Sequence, residues 1–86
     1  MVIISGDAMN ENLEICIVCP LSTSIKGYAG SVFLKKNEKN NLTLDSEVIC
    51  FQVRTISKNR LISKIGEIET NKLLEIKKKL LEVLTF

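Results

Sequence analysis

Near Thr70 the hydrophobic period of the chain changes from two to about 3.6 residues, dividing it into a β part and one helix. Beyond that point Leu73, Ile76, Leu80 and Leu84 fall on one side of a helix, and Leu74, Leu81 and Val83 widen the stripe. Lys72, Glu75, Lys77, Lys78, Lys79 and Glu82 fall on the other side, which reads most simply as a solvated face. Thr70 can cap the helix start, because a threonine hydroxyl accepts a bond from a first-turn N–H. A lone amphipathic helix has to lay its stripe on a partner layer, and the strand-like runs before it are that layer. The expected fold is therefore mainly β with a C-terminal helix: a small closed β-barrel with the helix packed on it, as one domain over residues 1–86. The stripe is wider than such a barrel can cover, so a homodimer is expected to bury the surplus.

The runs are short. Residues 2–5 form an apolar stretch ended by the turn pair Gly6-Asp7, and residues 8–12 read as a turn or one loose helical turn. Residues 13–21, rich in Ile, Val and Cys, are the strongest strand candidate; Pro20 cannot donate to a ladder, so the strand ends there or lies at an edge. Residues 22–30 are a polar loop holding Gly27 and Gly30, and residues 31–34 are another short strand. Residues 35–41 read as a solvated hairpin tip. Residues 47–56 alternate as one strand, with Val48, Cys50, Gln52 and Arg54 on one face. Residues 60–68 read as a last strand with Leu61, Ile65 and Ile62 facing inward.

Composition narrows the chemistry. The 86 residues contain no histidine, which excludes Ser-His-Asp triads, Cys-His pairs and histidine-based ribonucleases. Net charge is +2, a balance that permits RNA contact without demanding it. Cys16, Cys19 and Cys50 are an odd number of thiols in a chain with no visible signal peptide, which argues against a disulfide framework. Cys16 and Cys19 form a C-x-x-C on a predicted strand, where residues three apart point to opposite faces, so core thiols are expected and no metal or cofactor is. The longest apolar run is far too short to span a bilayer; a cytoplasmic protein with no membrane contact is expected.

Three segments carry a resemblance. Val18-Cys19-Pro20-Leu21-Ser22-Thr23-Ser24-Ile25-Lys26-Gly27-Tyr28 runs from an apolar strand through Pro into hydroxyl residues and Lys-Gly-Tyr. Asp45-Ser46-Glu47-Val48-Ile49-Cys50-Phe51-Gln52-Val53-Arg54-Thr55-Ile56 follows, then Lys58-Asn59-Arg60-Leu61 and Lys64-Ile65-Gly66 before the helix. In this order and spacing they resemble the MazF/PemK toxin family, from about Val2 to the C-terminus. The resemblance implies an SH3-like or CcdB-like barrel and a homodimer. It implies metal-independent cleavage of single-stranded RNA, in which the ribose 2′-hydroxyl attacks the adjacent phosphate. It also implies a cognate antitoxin whose tail occupies the RNA groove.

Carried over residue by residue, the resemblance makes Ser22 the catalytic hydroxyl, donating to a phosphate oxygen. Its plainer reading is a strand-end hydroxyl bonding its own backbone. Thr23 and Ser24 become base or phosphate contacts, and Lys26 a point charge for the RNA backbone, or else a solvated loop lysine. Tyr28 can stack on a base. Gln52 can read a base edge. Arg54, expected on the same strand face, either pairs with phosphate or holds Asp45 or Glu47.

One family element has no counterpart. The family's first strand and first loop, with its catalytic arginine, would precede Val2, and the only arginines here are Arg54 and Arg60. The expectation is a chain lacking its N-terminal strand and loop, with an open sheet edge near residues 2–5. Two alternatives follow: an inactive remnant that binds antitoxin or RNA without cleavage, and a CcdB-like gyrase poison. The ending Leu84-Thr85-Phe86 shows no match to the gyrase branch.

Overall fold

The computed structural model describes residues 1–61 and 63–85; Ile62 and Phe86 lie outside them. The apolar runs form strands β1 (Val2–Ile3), β2 (Ile15–Cys19), β3 (Leu21–Ser22), β4 (Ser31–Leu34), β5 (Ser46–Ile49) and β6 (Arg54–Ser57). A short helix α1 (Asp7–Asn12) follows β1, and α2 (Thr70–Thr85) ends the described chain. The strands pair antiparallel in two three-stranded sheets, ordered β1-β2-β6 and β3-β5-β4. Among the described residues they do not close into one barrel.

Two interruptions make the sheets separate. Pro20 has no N–H for a ladder, so β2 stops at Cys19 and the chain re-enters the other sheet as β3. The Pro20 carbonyl accepts the Ile49 N–H at 2.9 Å instead. The second interruption corrects the expected strand over 47–56. A 3-10 turn at Cys50–Gln52 splits it into β5 and β6, which lie in different sheets. Here the Cys50 N–H goes to the Gly30 carbonyl at 3.0 Å, and the Val53 N–H turns back to the Cys50 carbonyl at 3.2 Å. The expected face joining Val48, Cys50, Gln52 and Arg54 therefore does not form.

The core lies between the sheets and α2. Val2, Cys19, Val32, Leu34, Val48, Cys50 and Ile76 form one buried cluster, with Ile4, Leu21, Leu42, Ile68 and Leu80 packed at its margin. Helix α2 packs on β4 and on the 3-10 turn. Its buried stripe is narrower than expected: Ile76 is fully buried and Leu73, Leu80 and Val83 partly so, whereas Leu74, Leu81 and Leu84 are exposed. Residues 73, 76, 80 and 83 follow the three-and-four spacing of one helix face; Leu74 and Leu81 lie off it, and Leu84 is on its side but exposed in the last turn. Thr70 does not cap this helix. The Glu69 carbonyl already accepts the Leu73 N–H at 3.0 Å, so Thr70 sits within the first turn. On the outer face Lys72–Glu75 and Lys79–Glu82 form surface ion pairs at 3.2 and 3.3 Å.

The described residues of 60–68 do not form a strand. After a 3-10 turn at Lys58–Arg60 the described chain runs without ladder partners, and Leu61 and Ile65 are exposed rather than inward. Side contacts hold the segment. The Glu67 N–H donates to the Lys39 carbonyl at 2.8 Å, and Asn41 Nδ2 donates to the Ile65 carbonyl at 2.7 Å. Gly66 lets the two segments approach: a Cβ there would lie 2.6 Å from backbone atoms of Lys39 and Asn40. The 35–41 connector is accordingly more than a solvated tip. Asn40 is buried, accepting the Asn37 and Leu42 N–H groups at 3.0 Å and donating to the Lys35 carbonyl at 2.9 Å.

All three cysteines are free and buried. Cys19 and Cys50 share the main cluster with neighbouring thiols, and Cys16 lies outside it. Burial is the main reason the Cys19 thiol is raised above its ordinary value. The Cys50 thiol is pushed up to about 11, first by burial and then by Cys19.

Candidate functional site

Strand β3 starts the site. Leu21 and Ser22 pair with Val48 and Glu47 of β5, so Ser22 and Glu47 are cross-strand neighbours on one face of the sheet. The 3-10 turn then lifts Phe51 and Gln52 out of the strand line beside them. The loop after Ser22 closes the other side. Together these elements bound an open groove of about 230 Å³. Pro20, Leu21 and Ile49 form its apolar wall, and Ser22, Ser24, Lys26, Tyr28, Phe51, Gln52 and Glu47 supply the rest.

A single side chain sets the loop. Glu47 is 2% exposed, and its Oε2 accepts the Gly27 N–H at 2.9 Å. Gly27 has φ +67, a left-handed conformation that residues with a Cβ adopt at a cost. Fixing Gly27 carries its neighbours Lys26 and Tyr28 to the groove. The Tyr28 ring meets Phe51 edge-on, with centroids 5.6 Å apart and planes at 77°, and both rings keep substantial exposed area. Ser22 Oγ accepts the Ser24 N–H at 3.1 Å, a local turn bond that fixes its position. Its contact as donor to the Ser24 carbonyl is long, at 3.5 Å, so the hydroxyl hydrogen is held weakly.

Of the residues singled out from sequence, Ser22, Ser24, Lys26, Tyr28 and Gln52 meet in this groove. Thr23 is exposed in the loop and does not line it. Arg54 does not line it either: it sits on β6 opposite Val18, in the other sheet from β5. The ion pair expected between Arg54 and Asp45 or Glu47 does not occur among the described residues. Those carboxylates accept backbone N–H groups instead, Asp45 from Lys36 at 2.9 Å and Glu47 from Gly27. The break at Cys50–Gln52 is what parts Arg54 from Gln52. Sequence reading passed over Glu47 and Phe51 as groove residues. The available signal was an acid inside the apolar run from Ser46 to Phe51, where a strand buried on both faces rarely carries a charge. Among the described residues there is no cluster of three or more metal-ligating side chains, and no helix is long and apolar enough to cross a membrane.

Comparison with known proteins agrees with this architecture. Mycobacterium tuberculosis toxin MazF-mt6 superposes with a TM-score of 0.87 at 21% identity, over 99% of this chain and 84% of that one. An endoribonuclease in complex with its cognate antitoxin, from a mycobacterial species, gives 0.84 at 20% identity, over 99% and 79%. A MazE-MazF structure from Deinococcus radiodurans gives 0.81 at 22% identity, over 98% and 82%. These likenesses establish the fold. No curated protein sequence matches the chain. The family model for PemK-like, MazF-like toxins of type II toxin–antitoxin systems matches residues 1–84, and the chain belongs to that family.

Proposed function

We propose that this chain is the toxin of a toxin–antitoxin pair, an endoribonuclease that cuts single-stranded RNA without a metal ion and works as a homodimer. The observation that carries the reading is the groove itself. It gathers hydroxyl donors, one cation, an amide and two exposed rings on one side of the β3–β5 pair. A strand of RNA presents the complementary set: phosphates for Ser22, Ser24 and Lys26, and unstacked bases for Tyr28, Phe51 and Gln52.

In the reaction proposed, the ribose 2′-oxygen bonds to the adjacent phosphorus and the bond to the 5′-oxygen breaks. The 2′-proton passes to solvent, the departing 5′-oxygen takes one from it, and a cyclic phosphate and a free 5′-hydroxyl result. The Ser22 hydroxyl donates to a phosphate oxygen as charge grows there, and Lys26 offsets that charge. An antitoxin segment that fills the same groove blocks the reaction. Two of the solved relatives are described as a complex with a cognate antitoxin and as MazE-MazF, which supports such a partner. The exposed Leu74, Leu81 and Leu84 supply apolar surface for a second copy.

Lys26 is the only basic residue among those lining the groove, and this favours a second reading, a binder that does not cut. One assay separates the two. The purified chain is incubated with mixed-sequence single-stranded RNA in EDTA and the cut ends are mapped. Site-specific ends bearing cyclic phosphate, reduced about 10²-fold or more by Ser22→Ala, support the ribonuclease. Retained RNA binding with no cutting by folded protein selects the binder.

A further inference from the structure

Among the described residues, Glu47 alone holds a buried side-chain polar atom that lacks a hydrogen-bond partner. Its side chain is buried and Oε2 is bound to the Gly27 N–H, yet Oε1 has no hydrogen-bond partner among the described residues. A buried acceptor left unpaired is destabilising, more so if charged, so such an atom calls for a reason. Anchoring Gly27 supplies one for Oε2 only: that bond uses one of the two oxygens and leaves Oε1 without a role in the fold. Glu47 lines the candidate groove beside Ser22, and its Oε2 holds the loop that bounds the groove at Gly27.

We infer that Glu47 Oε1 is a base-reading acceptor, which takes an N–H from the exocyclic amino group of a nucleobase seated between the loop and Phe51. The inference deepens the RNA reading above and rests on it. Cytosine, adenine and guanine each present an amino group on the edge that pairs with another base. Uracil presents N–H between two carbonyl oxygens, and a carboxylate would repel those oxygens. The same groove carries Lys26 and the Ser22 and Ser24 hydroxyls. A ligand that satisfies the carboxylate must therefore also present an anion nearby, as a nucleotide does and a basic side chain of a partner does not. Gln52 lines the same groove and can complete recognition of the base edge.

The test uses ligands matched except for the amino group, so that it does not depend on a variant folding. Short oligonucleotides carry 2′-O-methyl ribose, which blocks any attack by that oxygen and leaves binding alone to be read by fluorescence anisotropy. The pairs are cytidine against pyrimidin-2-one riboside, adenosine against purine riboside, and guanosine against inosine, with uridine as the reference. The expected result is a loss of about 5-fold to 100-fold for at least one pair when the amino group is removed, and weaker binding of the uridine oligomer. Glu47→Gln, confirmed folded by circular dichroism, keeps an oxygen for Gly27 and turns an amide donor toward the base. It should abolish that preference or reverse it toward uridine. Equal binding within all three pairs overturns the inference, as does an unchanged preference in Glu47→Gln. Binding of a lysine-rich peptide but of no oligonucleotide overturns it together with the RNA reading. A chain that discriminates amino groups but fails to cut unmodified RNA leaves this inference standing and sinks only the ribonuclease.

Discussion

Ile76 and Leu81 lie on the same helix, and alanine should cost much at the first and little at the second. Ile76 has no solvent exposure and joins α2 to β4 and the 3-10 turn, while Leu81 is 65% exposed. Ile76→Ala removes about three methylene-sized groups at about 0.8 kcal/mol each, or about 2.4 kcal/mol of transfer free energy. The unfilled space adds about 24 cal/mol per Å³, and sheets tied by ladders collapse into it only in part. A total of about 3–4 kcal/mol follows, a large share of the about 4–13 kcal/mol expected of 86 residues. At about 4–8 °C per kcal/mol the melting temperature should fall by about 12–30 °C. Leu81→Ala should stay within about 0.5 kcal/mol in dilute solution. Urea and thermal unfolding followed by circular dichroism measure both. Equal losses at the two sites, or a loss below about 1 kcal/mol at Ile76, would refute the packing described here. A cost at Leu81 that appears only as protein concentration rises would show that a second copy covers the outer stripe.

Two further outcomes can be checked by the same methods. Gly66→Ala should cost about 1–3 kcal/mol, because its Cβ would meet backbone of Lys39 and Asn40 that cannot give way. Gly6→Ala, with open space around it and φ −72, should be neutral or slightly stabilising, and the urea midpoints of the two variants test the contrast. For pH, the folded Cys50 thiol is raised from 9.0 to about 11, so between those values the unfolded chain has lost a proton that the folded chain keeps. Stability should then be at its full value below pH 9 and fall as pH rises through 11. Urea midpoints in reductant should decline over that window, less steeply in Cys50→Ala; identical slopes in the two proteins would count against a buried, protonated thiol.

Local pattern made much of the fold legible. The strand over Ser31–Leu34 and the helix from Thr70 follow from side-chain period, which each segment carries within itself. The stop at Pro20 follows from a missing N–H. The failures share a cause as well. Residues 47–56 alternate well enough for one strand, but the carbonyl that captures the Cys50 N–H belongs to Gly30, twenty residues away in the chain. Residues 60–68 alternate too, yet their partners are the backbone of Lys39 and the side chain of Asn41 rather than a neighbouring strand. Period shows that a segment can lie flat on a core; it does not show whether a ladder partner is within reach.

The candidate site divides along the same line. Chemical type was readable from the residues alone: no histidine, hydroxyls beside Pro20, a lysine before Gly27, an amide at Gln52. These are properties of single side chains and of short runs, and they do not depend on where the chain folds back. Tertiary structure decided which of them meet. It brought Ser22, Ser24, Lys26, Tyr28 and Gln52 to one groove, and it placed Arg54 in the other sheet. It also put the Glu47 carboxylate beneath the loop, with one oxygen bound to Gly27 and one unpaired. Burial and hydrogen-bond satisfaction are set by neighbours distant in sequence, and so they exist only once the sheets and the loop have come together.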